Sequence, residues 1–292
     1  MNDAASALPL PLIEAVALRE RLAAGAQTVV VDTSFDLADA AAGERSYREG
    51  HLPGAHYLHL DRDLADHAPA ADGRFRGRHP LPTREAFAAT LTRLGIAPAT
   101  PVVVYDRQGA MFAARAWWML RWLGHREVAV LDGGLAAWRA VGGALESETP
   151  TAVAARLPYV PATSLVPTVD AVALQAGLGR VRLIDARAPE RFRGDVEPLD
   201  PVAGHIPGAL NRPFKDNLDA EGRFLAPAVL HAAFLPLLAG RPPAETVHQC
   251  GSGVTACHNL LAMERAGLPG AALYPGSWSE WCADPARPVA RG

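Results

Sequence analysis

His205-Ile206-Pro207-Gly208-Ala209 repeats His51-Leu52-Pro53-Gly54-Ala55 at an offset of 154 positions (205 minus 51). Upstream of the pair, Val29-Val30-Val31-Asp32 returns as Arg182-Leu183-Ile184-Asp185. Downstream, Asp72-Gly73-Arg74-Phe75 is echoed by Glu221-Gly222-Arg223-Phe224, and Val102-Val103-Val104-Tyr105-Asp106 by Thr246-Val247-His248-Gln249-Cys250. Leu131-Asp132-Gly133-Gly134, with Trp138, returns as Tyr274-Pro275-Gly276-Ser277, with Trp281. The offset falls to 144 (250 minus 106) and then to 143 (281 minus 138). Landmarks that recur in one order with a small drift mark a duplicated unit with a longer loop in the first copy.

The length allows this. A chain of 292 residues accommodates two domains of roughly 100–150 residues, each with its own core. The expected division is a first domain over 1–145, a linker over 146–168 and a second domain over 169–292. Pro150, Pro158, Pro161 and Pro167 lie in the linker among small residues, and proline favours extended chain.

Inside each copy, short apolar runs alternate with helical patterns. Val102–Tyr105 and Val128–Leu131 are continuous apolar runs, as in strands covered on both faces. Ala113–Leu123, between them, has the length and composition of a helix. Strand, helix, strand at this spacing predicts an α/β fold, a mainly parallel sheet covered by helices on both faces. Ligands of such sheets sit beyond the carboxyl ends of the strands. Asp106 and Cys250 occupy that position in their respective copies.

Cys250-Gly251-Ser252-Gly253-Val254-Thr255 follows a strand and leads into a helix expected over Ala256–Ala266. The two glycines let the backbone curl so that successive N–H groups point at one centre, and the helix adds its N-terminal donors. A cysteine at the mouth of such a cradle is favoured as thiolate. The same donors, those of Gly251, Gly253, Val254 and Thr255, can hold a negatively charged sulfur product. The bland alternative is a buried cysteine before an ordinary glycine turn.

With Cys257 and His258 added, this loop resembles the active-site loop of 3-mercaptopyruvate sulfurtransferases, a branch of the rhodanese superfamily. The resemblance extends over both His-Leu/Ile-Pro-Gly-Ala motifs, Asp132-Gly133-Gly134 and Gly276-Ser277-Trp278-Ser279-Glu280-Trp281. It implies two tandem rhodanese-like domains, the first inactive with Asp106 at the nucleophile position. It further implies covalent catalysis: Cys250 takes a sulfur atom from a small anionic donor and passes it from a persulfide to a thiol, cyanide or thioredoxin-like acceptor. No cofactor or metal is implied. Arg191, in Asp185-Ala186-Arg187-Ala188-Pro189-Glu190-Arg191, matches the family's donor-facing arginine, and Arg187 reads as structural. Ser252, His79 and Asp61 match a serine–histidine–aspartate relay suggested for the mercaptopyruvate branch, a histidine of ordinary pKa being suited to moving the proton. Both His79 and Asp61 come from the first copy.

One feature departs from that branch. The insertion Gly194–Pro201 lacks a second carboxylate-binding arginine, for which Arg193 and Arg212 are the available substitutes. Thiosulfate therefore stands as the alternative donor, although the loop carries no basic residue to suit a doubly charged one. A Cys-x5-Arg phosphatase is disfavoured, because position 256 is alanine where bidentate phosphate binding needs arginine. A non-catalytic binding module is a further rival, opposed by the presence of Cys250.

The remaining features set outer bounds. A net charge of −3 gives no reason to expect nucleic acid or an anionic membrane as partner. Met1–Leu12 does not read as a secretory signal, and no window approaches a membrane span. Three cysteines clustered near one end argue for a reducing, cytoplasmic setting rather than a disulfide framework. Cys257 and Cys282 are expected to be packed and unreactive, and no Cys-x-x-Cys metal spacing occurs.

Overall fold

The computed structural model describes residues 8–151, 155 and 157–292. The reading of Met1–Leu12 and that of the linker 146–168 therefore fall partly outside the described residues. The chain divides into two compact units, each built on a parallel sheet.

The first unit takes residues 1–65, 82–165 and 220–223. Its strands are β1 (Leu12–Ile13), β2 (Val29–Asp32), β3 (His56–Tyr57), β4 (Val102–Tyr105) and β5 (Val128–Leu131), in the spatial order β1-β5-β4-β2-β3. Every pairing is parallel. All four residues of β4 and all four of β5 are buried, as their uninterrupted apolar runs require. The helix expected after β4 spans Ala113–Trp122. The core gathers Ile13, Leu18, Val30, Leu52, Val103, Tyr105, Leu131 and Trp138. Burying each such side chain contributes about 1.5–3 kcal/mol.

The second unit takes residues 66–81, 166–219 and 224–292. Its strands β6 (Arg182–Asp185), β7 (Leu210–Asn211), β8 (Thr246–Gln249) and β9 (Ala272–Leu273) lie in the order β7-β6-β8-β9, again all parallel. Its core centres on Leu174, Leu183, Ile206, Val247, Tyr274, Trp278 and Trp281. Segment 66–81 precedes the helix Arg84–Arg93 in sequence yet belongs to this unit.

The repeated motifs do the same work in both units. His51 Nδ1 meets the carbonyl of Tyr47 at 2.7 Å and stacks on its ring, and His205 Nδ1 meets the carbonyl of Phe192 at 2.8 Å and stacks likewise. In each case the imidazole covers a carbonyl at a helix end, where backbone acceptors have no partner within the helix. The duplication is thus one of contacts as well as of letters. Among the described residues, no helix is long and apolar enough to cross a membrane.

Candidate active site

Strand β8 ends at Gln249 and the chain then curls through Cys250–Thr255 into the helix Ala256–Arg265. The curl is held from both sides. Cys250 N donates to Ser277 Oγ at 3.1 Å, and the carbonyls of Cys250 and Gly251 accept from Trp278 N and Ser279 N at 2.9 Å each. Gly253 adopts φ +78° beneath the Pro275 carbonyl, which an added β-carbon would approach to 2.2 Å. Only glycine fits there. The consequence is chemical: Gly253 N donates to Cys250 Sγ at 3.2 Å, which is the contact a thiolate at this position needs. Ser277 itself sits at φ +53°, a conformation uncommon for a residue with a side chain, with its hydroxyl donated to Tyr274 O at 3.0 Å.

The first unit displays the same loop with its cradle filled. Asp106 follows β4 as Cys250 follows β8, and Leu135 N clasps its carbonyl at 3.1 Å as Trp278 N clasps that of Cys250. The Asp106 carboxylate turns back into its own loop. Oδ1 accepts from Gln108 N and Ala110 N at 2.9 Å, and Oδ2 from Phe112 N at 2.8 Å and Ala113 N at 2.9 Å. Burial pushes the Asp106 carboxyl pKa up, against the downward pull of those four amides. In the second unit the corresponding amides of Ser252, Val254 and Ala256 take no acceptor from the protein among the described residues. An anion can therefore occupy in the second loop the place that a carboxylate occupies in the first.

Ser252 is buried, and its Oγ lies 2.7 Å from Nδ1 of His79. The histidine reaches it because segment 66–81 is part of the second unit. Gly77, at φ +95°, passes so close to Gly276 that an added β-carbon would meet its carbonyl at 2.7 Å, and Arg78 N donates to Ser279 Oγ at 3.0 Å. His79 is thus pinned through the backbone next to it. Asp61 lies in the short helix Leu60–Asp63 of the first unit, its amide donating to His59 Nδ1 at 3.1 Å.

Three arginines and three carboxylates alternate beside the loop. Arg187, fully buried, holds Asp185 through Nε and Nη2 (2.7 Å for the shortest contact) and lies 4.8 Å above the Trp278 ring. Its Nη1 reaches Glu197 at 3.4 Å. Glu197 accepts from Arg191 at 2.6 Å, Asp200 accepts from Arg191 at 3.3 Å, and Asp200 also accepts from Arg78. Burial pulls the Arg187 pKa down, but the contacts with Asp185 and Glu197 outweigh it and leave the pKa raised. A β-carbon built on Gly251 would meet Arg78 Nη2 at 2.9 Å and Arg191 Nη1 at 3.4 Å, so both guanidinium groups lie against the loop.

Arg78 is the residue that motif reasoning passed over. The substitutes considered for the missing second arginine are engaged elsewhere. Arg193 pairs with Asp195 on the surface, while Arg212 bonds the Asn217 side chain and covers the Phe234 ring. The two remaining cysteines are buried. Cys257 Sγ donates to Gly253 O at 3.4 Å, and burial pushes the Cys282 thiol up to about 11, which keeps it protonated at neutral pH.

The family model described as "Rhodanese-like domain" matches residues 14–141 and 168–284. The chain is 52% identical over 267 residues to a Pseudomonas aeruginosa protein named "Probable 3-mercaptopyruvate sulfurtransferase", covering 90% of this chain and 92% of that one. It is 34% identical over 285 residues to the thiosulfate sulfurtransferase of Gallus gallus, covering 95% of each. Among solved structures, the 3-mercaptopyruvate sulfurtransferase SseA of Escherichia coli superposes with a TM-score of 0.77 at 31% identity, covering 92% of this chain and 98% of that one.

Proposed function

The chain belongs to the rhodanese family and is a sulfurtransferase, and from that premise we propose that Cys250 is the sulfur-carrying nucleophile and 3-mercaptopyruvate its preferred donor. The supporting observation is the contrast between the two loops. One cradle is filled by its own aspartate, while in the other Gly253 N donates to a cysteine sulfur and the amides of Ser252, Val254 and Ala256 take no acceptor among the described residues. The first unit is accordingly read as catalytically silent.

In the first half-reaction the Cys250 thiolate attacks the donor sulfur. A sulfur–sulfur bond forms, the carbon–sulfur bond breaks, and carbon leaves with the electron pair as the enolate of pyruvate, which then takes a proton. The persulfide remains within the loop amides. In the second half-reaction an acceptor thiolate or cyanide attacks the outer sulfur, and Cys250 departs as thiolate. Arg78 and Arg191 hold the donor carboxylate beside Gly251, where paired N–H donors suit a carboxylate's two oxygens. Ser252, hydrogen-bonded to His79, polarises the donor carbonyl and helps supply the proton to the enolate. A thiol or thioredoxin-like acceptor and a cytoplasmic setting complete the reading.

Thiosulfate is the second donor to be considered, because two arginines against one loop also suit sulfate-like oxygens. The paired carboxylates of Glu197 and Asp200 count against it, since they cancel the positive charge a dianion would seek. Incubating the protein with 3-mercaptopyruvate and recording its intact mass tests the proposal. One added sulfur, mapped to the Cys250 peptide and lost in Cys250→Ser, is the expected result. Sulfur loading that persists in Cys250→Ser would overturn it.

A further inference from the structure

We infer that Asp200 is a positioning residue that sets donor charge selectivity, by holding Arg78 and Arg191 side by side and cancelling part of their charge. The inference rests on the proposed role of these arginines in donor binding. Its basis is the geometry of one carboxylate. Asp200 bonds Arg78 through Oδ1 and Arg191 through Oδ2, at 3.3 Å for the latter. Its side chain is 3% exposed, against 25% for Arg78 and 18% for Arg191. The acid therefore sits behind while the two cations face outward toward Gly251.

Each arginine arrives from a different part of the sequence. Arg191 lies on the short helix Pro189–Arg193, and Arg78 lies in the segment 66–81. Long flexible side chains held only at their backbones lose entropy when they converge on one ligand. A shared carboxylate removes that cost before the donor binds. Asp200 is in turn aimed by Glu197, whose Oε1 accepts from Asp200 N at 3.3 Å and Leu199 N at 3.1 Å. The insertion Gly194–Pro201, which supplies no arginine, instead supplies the acids that hold two.

The charge count gives the direction of selectivity. Arg78, Arg187 and Arg191 are balanced by Asp185, Glu197 and Asp200 along one unbroken chain of contacts. A singly charged carboxylate gains directed hydrogen bonds from such a site without needing a large positive field. A dianion gains more from each unit of uncompensated charge, since the Coulomb energy scales with ligand charge.

Asp200→Asn keeps the shape and removes the negative charge. The ratio of kcat/KM for thiosulfate to that for 3-mercaptopyruvate should rise about tenfold, the order expected for one unit charge a few ångströms from the ligand in a partly solvated site. Arg78→Gln should move the ratio the other way, which keeps the test informative if one variant folds poorly.

An independent arm uses no donor. Alkylation of the Cys250 thiolate forms a carbon–sulfur bond as iodide leaves, and the rates with iodoacetate and iodoacetamide, read on the Cys250 peptide, compare an anionic with a neutral reagent. The iodoacetate-to-iodoacetamide ratio should rise several-fold in Asp200→Asn and fall in Arg78→Gln. A general loss of packing would change both reagents together. Donor and alkylation ratios within about twofold of wild type in both variants would overturn the inference. A wild type that loads sulfur from neither donor would instead remove the donor reading, while the alkylation ratios still decide the part played by Asp200.

Discussion

His79 Nδ1 and Ser252 Oγ lie 2.7 Å apart across 173 residues of sequence, and the histidine is fixed there by the neighbouring Arg78 amide on Ser279 Oγ. A ring nitrogen and a hydroxyl so placed can relay a proton to a group bound over the loop. Release of pyruvate from 3-mercaptopyruvate requires that proton on carbon, whereas release of sulfite from thiosulfate does not. Ser252→Ala and His79→Asn should therefore lower kcat with 3-mercaptopyruvate by about 10²-fold, and with thiosulfate by less than about threefold. Steady-state assays with both donors on the same preparations check this. Equal losses with the two donors would show that the pair shapes the loop rather than moving a proton.

Gly253→Ala should separate the loop's conformation from its composition. The backbone is at φ +78°, and a β-carbon would come within 2.2 Å of the Pro275 carbonyl. The left-handed conformation alone costs about 1–2 kcal/mol for a residue with a side chain, and the clash must also move the chain. Gly253 N would then leave Cys250 Sγ. Urea unfolding should show a loss of at least about 2 kcal/mol, and mass spectrometry should show slower sulfur loading of Cys250. A variant that loads at the wild-type rate would mean the Gly253 amide contributes nothing to the nucleophile.

The architecture was readable because duplication supplies its own control. Strand β8 carries His248 and Gln249 at fully buried positions, so hydropathy alone would not mark it as a central strand. Its alignment with β4 does, and both pair in parallel with the first strand of their repeat's Val29/Arg182 landmark. Cys250, Ser252, His79 and Arg191 could be named from motifs, and all four lie in the second unit. Arg78 could not be. Its place depends on segment 66–81 leaving its own half of the sequence, and no local pattern encodes that transfer. The available signal was Gly77, a glycine before a candidate catalytic histidine, where the close approach to Gly276 leaves no room for a side chain. The acids of the insertion were hidden for a related reason: Glu197 and Asp200 acquire meaning only once the arginines they hold are known.

Asp106→Ala should destabilise the first unit without entering the chemistry of the second. Four amides, three of them buried, would lose their acceptor together, and an orphaned buried donor costs about 1–3 kcal/mol before any relaxation. Some will find water, so a loss of about 3–5 kcal/mol is expected. Asp106→Asn should fall between, since its amide group faces two donors with donors of its own. Denaturant unfolding measures the loss, and kcat/KM of the folded fraction should stay within about twofold. A stability change below about 1 kcal/mol would show that the loop amides do not depend on this carboxylate.

His248 sets an acid limit on the fold. It is fully buried one strand residue from the end of β8, its Nε2 lies 2.9 Å from Met263 Sδ, and burial pushes its pKa from 6.5 down to about 3. Burial lowers the pKa of His125 and His56 as well. The folded chain therefore keeps these rings neutral where the unfolded chain takes up protons. The stabilisation from the neutral state is complete above about pH 6.5 and drains as the pH falls toward the folded value near 3. For His248 the whole effect has an upper limit of roughly 5 kcal/mol, since each pKa unit is worth about 1.4 kcal/mol. Urea unfolding between pH 7 and pH 4.5 should show the free energy falling with acid, and His248→Leu should flatten that fall by close to one proton. Leucine also removes a buried ring nitrogen, Nδ1, that has no hydrogen-bond partner among the described residues, so the variant should match or exceed the wild type in stability at neutral pH. An unchanged slope in His248→Leu would mean that this histidine is protonated in the folded protein or already neutral in the unfolded one, and the acid sensitivity would have to come from other groups.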